Sequence, residues 1–322
     1  MPILAATIRS TRWALLGMVM LVVGSEALAE SLGCRTGEVA CACPDVDVWS
    51  VNTRCLPCID HMPDHADPEI EQRVNGCWEP SNLEALLDDP SRPLVIFIHG
   101  NRYKDSEAKA HGVTLARRLE PCGGRSARMV VLSWPSDQQG RLIPSSRSSY
   151  RRASTDGHYL AWLLSRVPST QPVGIIGYSF GALVAAEALD DVATTPPADG
   201  AVPWVLRDGR TNLVLVAPAL RCDAISPRGA YAAATSAVHR LTLVINSRDL
   251  ALRMFPHLDK EAHSEALGAV GMPVRWLPDG VEYASTDAAP VVGTRHALPE
   301  YLRSKTLLHR IATGAVVGLT VE

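Results

Sequence analysis

Runs of Val, Ile and Leu without polar alternation recur between residues 93 and 245, and such runs need apolar cover on both faces. They are Pro93 to His99, Arg128 to Trp134, Pro172 to Tyr178, Asn212 to Ala217 and Leu241 to Ile245. Helical stretches are expected between them at 105–120, 153–166, 180–191 and 228–238, with a last one at 297–312. Strands alternating with helices predict an α/β fold built on a doubly wound, mainly parallel sheet. In such a sheet the ligand crevice lies beyond the carboxyl ends of the strands, and reactive side chains are to be sought there.

Residues 30–80 read differently. They are rich in Cys, Asp, Pro and Asn and hold one strand candidate, Val46 to Arg54. A stretch this short has little core of its own, so a small cysteine-rich extension packed on a main domain over 92–322 is expected. Ahead of it, Arg9 and Arg12, the apolar run Trp13 to Val23 and Ala27-Leu28-Ala29 have the form of a signal peptide over residues 1–29. That run is too short for a bilayer core, which needs about twenty residues, so export without a stable transmembrane anchor is expected. Leu32-Gly33-Cys34 offers a competing lipobox-like reading, with a lipid anchor, although Ser31 stands where an aliphatic residue is usual.

Six of the eight cysteines, Cys34, Cys41, Cys43, Cys55, Cys58 and Cys77, fall in this extension. Export favours disulfides among them, with the pairing open. Cys55 and Cys58, followed by His61 and His65, also have zinc-site spacing, the competing reading. Cys122 should follow a helix and Cys222 a strand, at opposite ends of the sheet, so a bond between them is not expected. The formal net charge of -3 excludes a general affinity for nucleic acid or anionic lipid, and Arg147, Arg151 and Arg152 are expected to form a solvated face.

The third apolar run ends in Gly177-Tyr178-Ser179-Phe180-Gly181 and a helix-like Ala/Leu/Val stretch. A serine nucleophile needs a tight strand-to-helix turn that lifts its hydroxyl clear of the sheet, and flanking glycines let strand and helix approach. Ser179 is therefore the expected nucleophile. The first run ends in His99-Gly100-Asn101, where a loop can donate a backbone N–H to a developing oxyanion. The expected donors are the N–H groups of Asn101 and Phe180, with His99 supporting the loop.

A triad in the order Ser, acid, His needs a carboxylate after a later strand. Asp249, just past Leu241 to Ile245, is the expected acid, with Asp223 the alternative. Among the later histidines, His296 precedes the terminal helix candidate and is the expected base; His257, His263 and His309 fall in stretches that read as helical. No metal or organic cofactor is required. The implied chemistry is two-step acyl transfer on a small-molecule, lipid or polymer ester. The rival from another class is a non-catalytic binding module on the same scaffold.

Ile98 to Asn101, the segment Ser133-Trp134-Pro135-Ser136, Gly177 to Gly181 and a terminal His296 together resemble the α/β-hydrolase group once described as a domain of unknown function. The likeness spans about residues 92–312 and implies an α/β-hydrolase fold and serine hydrolase activity. Members of that group often carry His before the nucleophile and Met after it, where this chain has Tyr178 and Phe180.

Overall fold

The computed structural model describes residues 46–119, 127–137, 142–197, 200–258 and 264–316. The expected signal peptide, Cys34, Cys41, Cys43, Cys122 and His263 lie outside them.

Among the described residues all strands belong to one sheet of nine, in the order β3-β2-β1-β5-β4-β6-β7-β8-β9. The five apolar runs are β4 (Leu94–Ile98), β5 (Arg128–Ser133), β6 (Val173–Tyr178), β7 (Thr211–Val216) and β8 (Arg240–Ile245). They pair in parallel, and β4 to β7 are buried along their whole length. That burial is what unbroken Val/Ile/Leu runs require. A ninth strand, β9 (Glu282–Asp287), closes one edge in parallel with β8.

The segment expected as an appended extension joins the same sheet. β1 (Val48–Asn52) lies parallel to β5, β2 (Glu69–Val74) pairs antiparallel with β1, and β3 (Cys77–Ser81) pairs antiparallel with β2. Val48, Trp49 and Val51 are buried, so β1 is an interior strand rather than a packed-on flap.

Helices cover both faces. α1 (Asp105–Leu119) and the C-terminal α6 (Lys305–Ala315) pack on one side; α2 (Leu142–Arg166) and α3 (Gly181–Thr194) pack on each other and on the opposite side. α2 begins eleven residues before the expected stretch. The expected helix at 228–238 is a 3-10 segment, Ala232–Ala237, and the expected terminal helix is two, α5 (Leu298–Arg303) and α6, separated by Ser304. Ser304 caps α6 by accepting from the N–H of Leu307. Among the described residues no helix is long and apolar enough to cross a membrane.

The chain steps from β4 to β5 in one direction and from β6 to β7 in the other. The carboxyl ends of β4 and β6 therefore flank the point where winding reverses, the place such sheets leave open for ligands.

Candidate active site

Ile98 pairs with Gly177 across β4 and β6, which sets the loop His99-Gly100-Asn101 against the turn that follows β6. Ser179 occupies that turn with φ of 55°, a left-handed conformation that costs a non-glycine residue of order 1 kcal/mol or more. The turn is held by the end of β7: the Ser179 N–H donates to Val216 O at 3.0 Å, and the Ala219 N–H donates to Ser179 O at 3.0 Å. Two glycines make the approach possible. A Cβ on Gly181 would lie 2.2 Å from Ile98 O, and one on Gly100 would lie 3.0 Å from Ser179 Cβ.

Asp249 follows β8 and caps a short helix, α4 (Leu250–Arg253). Its Oδ1 accepts from the N–H groups of Ala251 at 2.8 Å and Leu252 at 3.1 Å. Its Oδ2 is left to face His296 Nδ1 at 2.7 Å. On the far side of the ring, His296 Nε2 lies 2.8 Å from Ser179 Oγ. The structure thus brings together Ser179, Asp249 and His296 from three segments. The carboxylate is fully buried and the imidazole side chain keeps 13% exposure, so water is kept from the acid.

Phe180 follows the serine and Asn101 follows Gly100, which lies against Ser179, and among the described residues their backbone N–H groups donate to no protein acceptor. The Asn101 side chain donates from Nδ2 to Ser146 Oγ of α2 at 3.3 Å. His99 is a support. Its Nδ1 donates to Gly100 O at 2.8 Å, and its Nε2 accepts from the Trp134 N–H at 3.2 Å. Complete burial pulls its pKa from 6.5 down to about 3, so the ring stays neutral in the tautomer these two bonds require.

Tyr178, Asn246 and Tyr301 escaped the sequence reading. The Asn246 Nδ2 donates to Arg295 O at 3.1 Å and to the Tyr301 hydroxyl at 3.2 Å, and the Tyr178 hydroxyl donates to His296 O. Asn246 stands directly after β8, the position the crevice rule singles out. Tyr178 stands inside the serine elbow, but that motif does not say what its hydroxyl bonds, and for Tyr301 no motif existed to find.

The alternatives lie elsewhere. Asp223 pairs with Arg221 at 2.9 Å, His257 is exposed after α4, and His309 is exposed on α6. Arg152 is not part of a solvated face: it donates to Asp156 Oδ2 at 2.9 Å, Leu56 O at 3.0 Å and Cys58 Sγ at 3.1 Å. It thereby ties the loop after β1 to α2. Among the described residues, Cys55, Cys58 and Cys222 form no disulfide, and Cys55, Cys58, His61 and His65 do not converge on one point. Among the described residues, His158, Glu187 and Asp191 bring metal-ligand atoms within 4.8 Å of one another, with His158 Nδ1 bonded to Asp191 and Ser154 donating to Glu187.

A family model described as "Alpha/beta hydrolase of unknown function (DUF900)" matches residues 79–275, more than half of the chain. The chain belongs to this alpha/beta hydrolase family. The match takes in Asn101, Ser179 and Asp249 and ends before His296. Among curated proteins nothing matches this hydrolase. Among solved structures it is similar to an inhibited esterase B from Lactobacillus rhamnosis, at 14% identity, 83% coverage of this chain, 85% of that one and a TM-score of 0.38.

Proposed function

We propose that this alpha/beta hydrolase is an exported serine esterase in which Ser179 is the nucleophile, His296 the general base and Asp249 the residue that orients it. The observation that carries the reading is the unbroken line from Asp249 Oδ2 through both nitrogens of His296 to Ser179 Oγ, at 2.7 and 2.8 Å. A buried acid, a largely buried imidazole and a strained serine converge on the ligand crevice from distant parts of the chain.

In the proposed reaction the Ser179 hydroxyl attacks the ester carbonyl as its proton passes to His296 Nε2. The tetrahedral oxyanion is held by the Asn101 and Phe180 N–H groups, each donor contributing about 3 kcal/mol in sites of this type. His296 then gives its proton to the leaving alkoxide, which departs as an alcohol and leaves an acyl-serine. Water, deprotonated by the same nitrogen, releases the acid. The half-buried Tyr150 is seated edge-on against the buried Phe255 and the buried Phe180, the latter next in the chain to the nucleophile, and its ring is the apolar surface suited to the acyl part of an ester. Export is proposed on the pattern of residues 1–29, and disulfide formation among the cysteines after it follows from that destination.

The test is labelling of the purified protein with a fluorophosphonate probe, beside Ser179→Ala. Labelling of the wild type that vanishes in the variant is expected. A folded wild type that takes no label would overturn the reading and favour a binding module on a hydrolase scaffold.

A further inference from the structure

We propose that Tyr178 is a positioning residue for His296: it ties the backbone of the base to the strand that carries the nucleophile. This rests on the serine-hydrolase reading above.

His296 belongs to no helix or strand. It sits in the short loop between a helical turn at Ala289–Val292 and α5, and such a segment holds a side chain in place only if its backbone is tied elsewhere. Three successive carbonyls supply the ties. Thr294 O accepts from the Leu250 N–H at 3.2 Å, Arg295 O accepts from Asn246 Nδ2 at 3.1 Å, and His296 O accepts from the Tyr178 hydroxyl. The first two partners flank Asp249 in sequence and so register the loop to the acid. Tyr178, adjacent to Ser179, registers it to the nucleophile.

The Tyr178 ring takes part as well. It lies 5.4 Å from the His296 ring, tilted 31°, and 6.3 Å from Tyr103, edge-on. Tyr103 stacks on His99 at 5.3 Å, and His99 stacks on Trp134 at 5.5 Å. A column of rings therefore runs from the end of β5, through the loop after β4 and the serine turn, to the base. Tyr178 is only 3% exposed, so it has almost no surface to offer a substrate. Its burial also drives the phenol pKa well upward, which keeps the hydroxyl protonated and able to donate.

A positioning role and a packing role separate in the following experiment. Tyr178→Phe keeps the ring and removes the donor. Tyr283→Phe removes a longer tyrosine-to-carbonyl bond, to Met272 O at 3.4 Å, on a strand that carries none of the three proposed triad residues, and serves as the control. For each protein, titration with the fluorophosphonate counts competent serines, and turnover of a chromogenic short-chain ester is then expressed per titrated site with its KM. Misfolding lowers the count; misplacement of the base lowers the rate per site. Tyr178→Phe is expected to lose about 10- to 100-fold in kcat per titrated site, the penalty of an ångström-scale misplacement, with KM little changed. The Tyr283→Phe rate should match the wild type. A Tyr178→Phe rate per site equal to wild type, whatever the count, overturns the proposal. A wild type that takes no label removes the serine chemistry itself, and with it this role.

Discussion

The Tyr301 hydroxyl donates to Asp249 Oδ2 at 3.4 Å, the same oxygen that faces His296. Asn246 donates to that hydroxyl and so turns its proton toward the acid. With Oδ1 bound to two backbone N–H groups of α4, both carboxylate oxygens are committed, and rotation of the group would break several bonds at once. The acid of the proposed triad is thus fixed by a helix terminus and a buried phenol rather than by packing alone.

Because Asp249 is both cap and orienting acid, its substitutions should separate the two roles. Asp249→Asn can keep its oxygen on the α4 N–H groups while its amide N–H₂ faces a nitrogen that needs an acceptor. A fall of about 10⁴ in turnover is expected, as an imidazole held in the wrong tautomer gives. Asp249→Ala should match that loss and also lower stability by about 1 kcal/mol more than the Asn variant, through the missing cap. Labelling rates and denaturant titrations of the two variants check both numbers.

Gly181→Ala is expected to lower stability by about 1 to 3 kcal/mol, because the added methyl meets the β4 backbone and that strand is paired on both sides. Differential scanning calorimetry should show the loss as a drop in Tm. An unchanged Tm would mean that α3 and β4 separate freely, against the close contact seen here.

His99 makes the fold sensitive to acid. Its folded pKa, about 3, lies below its ordinary 6.5, so the unfolded chain binds the proton more readily between those values. Its contribution is whole above pH 6.5 and is lost as pH falls from there toward 3. At 1.36 kcal/mol per pH unit, about 2 kcal/mol should disappear between pH 6.5 and 5. Urea unfolding of the wild type and His99→Gln across that range should show the difference between them shrinking by this amount on acidification.

Arg152 and Asp156 form a buried pair, with 10% and 0% side-chain exposure. Burial raises the Asp156 pKa to about 6 even beside the guanidinium, so an unpartnered carboxylate there would be costly. Arg152→Met is expected to destabilise by about 3 to 5 kcal/mol, and Arg152→Met with Asp156→Asn by clearly less, since the double variant strands no charge. A double-mutant cycle by urea unfolding reads the coupling; additive losses would contradict it.

What the sequence made legible follows from burial. β4 to β8 could be read because a strand covered on both faces leaves an unbroken apolar run. β9, with Glu282, Ser285, Thr286 and Asp287, and β2, with Glu69, Glu71, Gln72 and Arg73, lie toward the two edges, where half the side chains meet water and the pattern fades. The first turns of α2 are rich in Ser and Arg and show no apolar stripe, which hid its true start. Ser179, Asp249 and His296 were legible because each stands directly after a strand or before a helix. The side chains that hold them, Tyr178, Asn246 and Tyr301, were not, because their partners lie 49 to 118 residues away along the chain.

The place of β1 bears on how the molecule comes together. It is the first described strand in the chain, yet its parallel partner β5 ends only at Ser133, so five residues near the amino end must wait for some eighty more before their ladder exists. Until then β1 has only the antiparallel β2 beside it, and a two- or three-stranded fragment is marginal in water. The sheet closes late and over a long loop, the regime in which folding is slow and open strand edges attract one another. Trimming the chain at residue 92 would leave that edge open permanently, with the buried run Arg128–Ser133 as a template for a second molecule.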